Sequence, residues 1–161
     1  LAVLHPGARW ASKLWPPASW GSLAEWFHGQ GFQVAVTGSA ADRQLVAGIT
    51  AQCRAPLLNL AGSTSLAQLA GILRQARLAV TTDTGAMHLA AALGTPVAAL
   101  FGPTAPWRTG PFGSGHRVVR LGLSCSPCFK RQCPDPRCLN DLYPAMVEAA
   151  CEKILSRVAI S

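Results

Sequence analysis

LAVTTDTGAMHLAAALGTPVAALFGPT, residues 78–104, reads as strand, sharp turn, helix and strand, and this reading decides the fold. Residues 78–82 are an apolar, β-branched run, Asp83-Thr84-Gly85 supplies turn chemistry, and residues 86–93 form a helix stopped by Gly94-Thr95-Pro96. Residues 96–102 are then a second buried strand. In such a βαβ unit the amides that open the helix are unpaired and its dipole end is positive, so the Asp83-Thr84-Gly85 corner is built to receive a phosphate. Gly85 permits close backbone approach, Thr84 adds a hydroxyl, and His88 stands one turn along the same face. The plainer reading makes Asp83 an N-cap and His88 a packed surface imidazole. Asp-Thr-Gly-Ala is also the signature of an aspartic protease, but that motif lies between strands of an all-β dimer, whereas an Ala-rich helix follows directly here.

Outward from this unit the same rhythm continues. Residues 1–5 read as a strand, 5–17 as a Gly/Pro/Trp loop, 20–29 as a helix and 32–37 as a strand. A helix over 41–53, a strand over 57–60 and a helix over 65–76 follow, with Ser65 and Gln68 at capping-box spacing. A last strand over 116–122, a cysteine-rich loop and a helix over 144–158 close the chain. The alternation predicts an α/β fold: a Rossmann-like parallel sheet of five or six strands, helices on both faces, ligands at the carboxyl ends of the strands. Five Gly- or hydroxyl-bearing corners should share that rim: His5 to Arg9 with Lys13, Gly38-Ser39, Gly62-Ser63-Thr64, Asp83-Thr84-Gly85, and Gly102-Pro103-Thr104. Together they describe a nucleotide cleft, and without G-x-G-x-x-G it is not a nicotinamide site.

The 161 residues suit one domain with a normal core. No apolar run is long enough to span a bilayer. Because Leu1 stands inside a strand, the chain is expected to be a fragment of a longer protein. A net charge of +7 favours a polyanionic partner, while the spread of the basic residues, dense only at Lys130-Arg131, argues against a nucleic-acid stripe. Among six cysteines, Cys125, Cys128, Cys133 and Cys138 have the spacing of a zinc knuckle with Cys133 in place of the histidine, so four thiolates could hold Zn or a single Fe. Reduced thiols or a disulfide are the plainer alternatives. Cys53 and Cys151 read as buried helical residues.

Several stretches resemble the ADP-heptose:lipopolysaccharide heptosyltransferase family, specifically its C-terminal, donor-binding domain. They are His5-Pro6-Gly7-Ala8 with Lys13-Leu14-Trp15-Pro16, Asn59-Leu60-Ala61-Gly62 with Ser65-Leu66, Asp83 to Gly94, and Phe101-Gly102-Pro103-Thr104 with Gly110-Pro111. The resemblance covers nearly the whole chain. It implies the C-terminal half of a two-domain, glycosyltransferase B-type fold, residues 1–161 binding the nucleotide sugar and an N-terminal acceptor domain lying outside this sequence. It also implies transfer of heptose from ADP-heptose to the lipopolysaccharide inner core with inversion, no cofactor for transfer, and a cytoplasmic location with peripheral contact at the inner membrane. Carried over by residue, Lys13 matches a phosphate-binding lysine, Asp83, Thr84, Gly85 and His88 match the donor motif, and Thr64 stands against the nucleoside. Asp42 is the acidic residue available for a ribose contact, and no catalytic base is expected on this chain. Similar cysteine loops in the family make a structural staple more plausible than a nucleic-acid reader. The competing functions are a basic nucleic-acid-binding module built on the cysteine loop, and a related transferase using another sugar nucleotide. Basic residues gathered at the cysteine loop would favour the first of these, and basic residues on the strand-end rim the transferase.

Overall fold

Strands form where short, continuous apolar runs can be buried on both faces. The computed structural model describes residues 1–158. Six strands, β1 (Ala2–His5), β2 (Val34–Val36), β3 (Leu58–Asn59), β4 (Leu78–Thr82), β5 (Val97–Leu100) and β6 (Arg117–Val119), form one sheet in the order β3-β2-β1-β4-β5-β6. Every pairing is parallel. This is the doubly wound order, in which the direction of winding reverses between β1 and β4 and opens a crevice at their carboxyl ends. Helices α1 (Pro17–Gly29), α2 (Arg43–Ala51), α3 (Leu66–Gln75), α4 (Gly85–Ala92), α5 (Pro106–Thr109), α6 (Arg137–Asn140) and α7 (Pro144–Val158) complete the fold.

Successive residues of each central strand feed opposite layers. Ala2, Leu4, Leu78, Val80, Ala98 and Leu100 pack with the buried residues of α1, α2 and α7. Val3, Ala79, Val97 and Ala99 pack with Leu73 of α3 and with Met87 and Ala90 of α4. The edge strand β3 is two residues long and exposed, shorter than its apolar run suggests, a common device for blunting a sheet edge.

The boundaries differ from the sequence expectation where side chains intervene. Pro17 is tolerated as the first helical residue, so α1 begins three residues before Trp20. Ser39 and Asp42 form a capping box around a short 3-10 turn, Ala40–Asp42, and α2 starts only after it and ends at Ala51, leaving Cys53 half-buried beyond the helix. The Ser65–Gln68 capping box opens α3 as its spacing predicts.

The loop after β1 is held by tryptophan. Trp15 is almost completely buried, stacks edge-on against Trp20 at 5.1 Å, and donates from Nε1 to the Leu142 carbonyl at 2.8 Å. Anchored there, the 3-10 turn Ala11–Lys13 aims Lys13 back over the end of β4.

Candidate functional site: a cleft at the carboxyl ends of β1, β2 and β4

A cleft of about 580 Å³ opens at the winding reversal. Its walls are His5, Gly7 and Arg9 after β1, Gly38 and Ser39 after β2, Thr64 and Ser65 ahead of α3, and Thr84 after β4. Pockets of this size suit a nucleotide-sized ligand. Four of the five corners expected on the rim therefore converge.

The fifth does not. Gly102-Pro103-Thr104 lies on the same sheet edge but is roofed by the cysteine loop: Ser126 Oγ donates to the Gly102 carbonyl, and the amides of Cys128 and Phe129 donate to that of Pro103 at 3.1 and 2.8 Å. A Cβ on Gly102 would stand 2.9 Å from Leu139, so this glycine serves packing rather than ligand approach.

Glycine has a local reason at two cleft positions. A Cβ on Gly7 would lie 2.6 Å from the Asp42 carboxylate, so the β1 corner and the Asp42 turn can touch only without a side chain there. Gly62 has φ of +66°, a left-handed conformation that glycine adopts readily, and its carbonyl accepts from Arg43 at 3.0 Å. Buried Thr82 donates to the Gly7 carbonyl at 2.8 Å and joins the β1 and β4 corners.

Lys13 and Asp83 meet across 70 residues of chain. Lys13 Nζ lies 2.7 Å from Asp83 Oδ2 and 3.2 Å from the Asp83 carbonyl, with the two side chains 14% and 7% exposed. Thr109 Oγ1 donates to the same Oδ2 at 3.4 Å. Asp83 is thus neither a cap nor a free acceptor for sugar hydroxyls: it is the counter-ion of Lys13. The N-cap of α4 is Thr84, which makes no side-chain cap bond, so the amides that open the helix remain available beside the Lys13 ammonium. An ammonium has three N–H groups, and the two contacts to Asp83 leave one.

Asp42 lines the cleft with its carboxylate engaged: Oδ2 accepts from the Ser39 amide and hydroxyl at 2.7 and 2.6 Å. Thr64 lies on the cleft wall, half-buried. Gly85 and His88 are exposed on α4, outside the residues that line the cleft. His5 was not singled out for chemistry in the sequence. It is buried, its Nδ1 lies 2.9 Å from Thr37 Oγ1, and desolvation pushes its pKa below the ordinary value against the opposing pull of Asp42, so the imidazole is a neutral wall of the cleft. Thr82 and Thr109 were likewise missed. Each is an ordinary Thr whose role depends on a partner the fold brings in, whereas Ser39, expected on the rim, lies there and holds Asp42.

The four loop cysteines line one cavity of about 230 Å³ together with Ser12, Asp135 and Arg137. Among the described residues no three His, Cys, Asp or Glu side chains stand close enough to hold a metal. Four thiols are suitable donors for Zn or Fe, but their placement as it stands is not a ligand shell. The physical reason is local: Cys133 donates its thiol to the Asp135 carbonyl at 3.2 Å, and Cys138 packs beneath Gly102. Burial, then the neighbouring Cys128, Cys125 and Cys133, push the Cys138 thiol upward, which favours the protonated form. Cys151, deep in α7, is pushed up to about 12 by burial.

Basic residues do not separate the rim from the cysteine loop, because the two are one surface. The Ser12 amide and hydroxyl donate to the carbonyls of Arg131 and Lys130 at 3.3 and 2.6 Å. Among the described residues no helix is long and apolar enough to cross a membrane.

With this geometry in view, the comparisons are specific. The model of glycosyltransferase family 9 (heptosyltransferase) matches residues 1–138. Lipopolysaccharide heptosyltransferase 1 of Pseudomonas aeruginosa is 36% identical over an alignment covering 96% of this chain and 48% of that protein. Lipopolysaccharide heptosyltransferase 2 of Escherichia coli K12 is 38% identical over 72% of this chain and 35% of its own. The solved E. coli ADP-heptose lipopolysaccharide heptosyltransferase II superposes with a TM-score of 0.88 at 31% identity, covering 98% of this chain and 47% of that one. E. coli heptosyltransferase WaaC with ADP superposes at 0.79 and 26% identity, covering 95% and 43%. A dodecameric iron-containing heptosyltransferase, TibC, shares the fold at a TM-score of 0.78 and 16% identity, covering 99% and 46%. The chain spans about half the length, or less, of these proteins.

Proposed function

Because the chain belongs to glycosyltransferase family 9, the heptosyltransferase family, we propose that it is the donor-binding half of an enzyme moving heptose from ADP-heptose to the inner core of lipopolysaccharide. The observation that carries this reading is the Lys13–Asp83 pair beside the uncapped start of α4, whose N-cap Thr84 lies on the wall of the 580 Å³ cleft. Transfer to a hydroxyl releases a diphosphate, so a cation and helix-end amides that meet growing negative charge favour the transition state over the ground state. Lys13 supplies the mobile charge, initially neutralised by Asp83, and the α4 amides of Gly85 and Ala86 supply fixed dipoles. His88, one turn further on, reaches an outer phosphate oxygen. Thr64 lies against the nucleoside, and Asp42 meets the ribose through Oδ1, since Ser39 occupies Oδ2.

The partners follow from the same reading: ADP-heptose, a lipopolysaccharide core acceptor, and an N-terminal domain bearing the base, at the cytoplasmic side of the inner membrane. A Zn or Fe ion is the finer proposal for the cysteine pocket, as a structural staple outside the transfer chemistry. Its support is four thiols around one cavity, and loading it requires Cys133 to release Asp135.

A thermal-shift panel of ADP, UDP, GDP and TDP sugars tests the donor, since a ligand that binds only the native state raises apparent stability in proportion to RT ln(1 + [L]/Kd). ADP-heptose is expected to give the largest shift, and a larger shift with another base would transfer the reading to a different sugar nucleotide. Elemental analysis without added metal is expected to find about one Zn or Fe per chain, and only trace metal would remove the staple.

A further inference from the structure

We propose that the surface formed by Trp10, Trp107, Arg108, Phe129 and Arg131 beside the donor cleft is a binding ridge for the acidic saccharide headgroup of the acceptor. The proposal rests on the donor-binding reading and extends it to the second substrate.

The first observation is the distribution of charge. The seven acidic residues leave three long stretches without any, residues 1–24, 43–82 and 84–134, and the first and last of these bring Arg9, Lys13, Arg108, Arg120, Lys130 and Arg131 to the carboxyl-end side of the sheet. The fold brings the two together through the bonds of Ser12 to Lys130 and Arg131. The acidic residues at the sequence limits of the ridge are already engaged: Asp83 with Lys13 and Thr109, and Asp135 through its carbonyl with Cys133 and by its charge with Arg137. With Lys13 paired to Asp83, Arg108 and Arg131 remain on this surface without a carboxylate partner among the described residues.

The second is how the cations are held. Lys13 and Arg131 lie 4.5 and 5.7 Å from the Trp10 ring, Arg108 lies 5.3 Å from Phe129, and Arg120 lies 5.6 Å from Trp107. An aromatic face orients a guanidinium and leaves its N–H fork free for a carboxylate or phosphate, as at Arg108 and Arg131, whereas Arg120 is tied to the Ser126 carbonyl at 3.2 Å. The third is exposure that packing does not demand. Trp107 is 68% exposed and Phe129 41%, although apolar rings are normally covered. Phe129 adopts φ of +55°, unfavourable for a bulky side chain, under the two amide bonds to Pro103 that turn the ring outward.

Position selects the occupant. Thr109, next to Arg108, touches Asp83, and Trp10 stacks on Lys13, so the ridge adjoins the point where the donor diphosphate is expected. A group bound there lies within reach of a sugar transferred from that donor. Exposed aromatic rings interleaved with guanidinium forks suit an acidic sugar.

The test measures binding of deacylated lipopolysaccharide core oligosaccharide, bearing its carboxylates and phosphates, to the full chain by calorimetry. Arg108→Gln/Arg131→Gln is expected to weaken it tenfold or more and to leave ADP affinity within twofold. Arg54→Gln/Arg77→Gln, which removes the same charge at the opposite ends of the strands, is expected to bind like the unaltered chain. Equal weakening by both pairs would reduce the ridge to bulk charge and overturn the proposal. So would an unaltered chain that binds ADP but not the oligosaccharide, an outcome that leaves the donor reading intact. Loss in the ridge variant of binding to phosphatidylglycerol vesicles but not to the oligosaccharide would reassign the surface to the bilayer.

Discussion

Replacing Lys13 with alanine removes a cation from the proposed anion site and, at the same stroke, leaves Asp83 without its counter-ion. The first effect concerns ligand. A charge-assisted contact to phosphate contributes about 1.5–3 kcal/mol, so ADP affinity is expected to fall roughly ten- to a hundredfold. The second concerns the fold. Asp83 is 7% exposed, and after the substitution its Oδ2 keeps only the Thr109 hydroxyl at 3.4 Å. Breaking a fully buried pair costs about 3–5 kcal/mol. The cost here is smaller, because Lys13 is 14% exposed and water can reach the vacated space. The two effects separate in Lys13→Ala/Asp83→Asn, where the orphaned charge is gone: thermal stability should recover toward that of the unaltered chain while ADP affinity stays low. Calorimetry with ADP and thermal unfolding of both variants decide the matter. Unchanged ADP affinity in Lys13→Ala would refute phosphate binding by Lys13, and recovery of ADP affinity in the double variant would show that Lys13 acts only by neutralising Asp83.

Gly7→Ala should lower stability by about 1–3 kcal/mol and weaken ADP binding, because its Cβ meets the Asp42 carboxylate at 2.6 Å; denaturant unfolding and calorimetry check both. Burial holds the His5 pKa below 6.5, so the unfolded chain binds more protons than the folded one as pH falls beneath that value. Stability should therefore decline from about pH 6.5 downward, and His5→Asn should flatten that limb of a stability–pH curve. Cys151, with its thiol pushed up to about 12 and no exposed surface, should react with a thiol reagent only on unfolding, whereas exposed Cys125 should react at once, as peptide mapping after labelling will report.

The parts of the fold that were legible are those fixed by local pattern. Val97 to Leu100 alternate between two apolar layers, and Ser65 and Gln68 cap each other three residues apart, whereas Pro17, read as the end of a loop, opens α1. The strand-end rim followed from the parallel order. What was not legible depends on distant partners. Asp83 reads as a free carboxylate until Lys13 arrives across 70 residues, and Gly102 reads as a ligand corner until Ser126 and Leu139 cover it. The cysteine spacing suggested a closed tetrahedron, but spacing says nothing about the carbonyl of Asp135 that draws the Cys133 thiol aside. The cap of α4 is likewise Thr84 rather than Asp83, because Asp83 turns to Lys13.

The carboxylates of this chain decide what it can contribute to transfer. A general base must lie within hydrogen-bond reach of the acceptor hydroxyl, so geometry comes before pKa. Asp83 is paired with Lys13, and Asp42 holds the Ser39 amide and hydroxyl, so using either as base would undo the architecture that binds the donor. Glu25 accepts from the Arg54 amide, Asp141 pairs with Arg137, and Glu148 and Glu152 lie on α7, away from the cleft lining. Asp135 remains, on the wall of the cysteine cavity. On the proposed reading, binding and leaving-group stabilisation are concentrated here, while among the described residues the one carboxylate that lines the cleft, Asp42, is held by Ser39. The base is expected from a second domain, which has a consequence for assay: the chain alone should bind ADP-heptose without acceptor-dependent release of ADP, and addition of the N-terminal half should restore transfer. Release of ADP by the chain alone would single out Asp42, whose Oδ1 is the nearest uncommitted oxygen on the cleft wall, as the group to replace first.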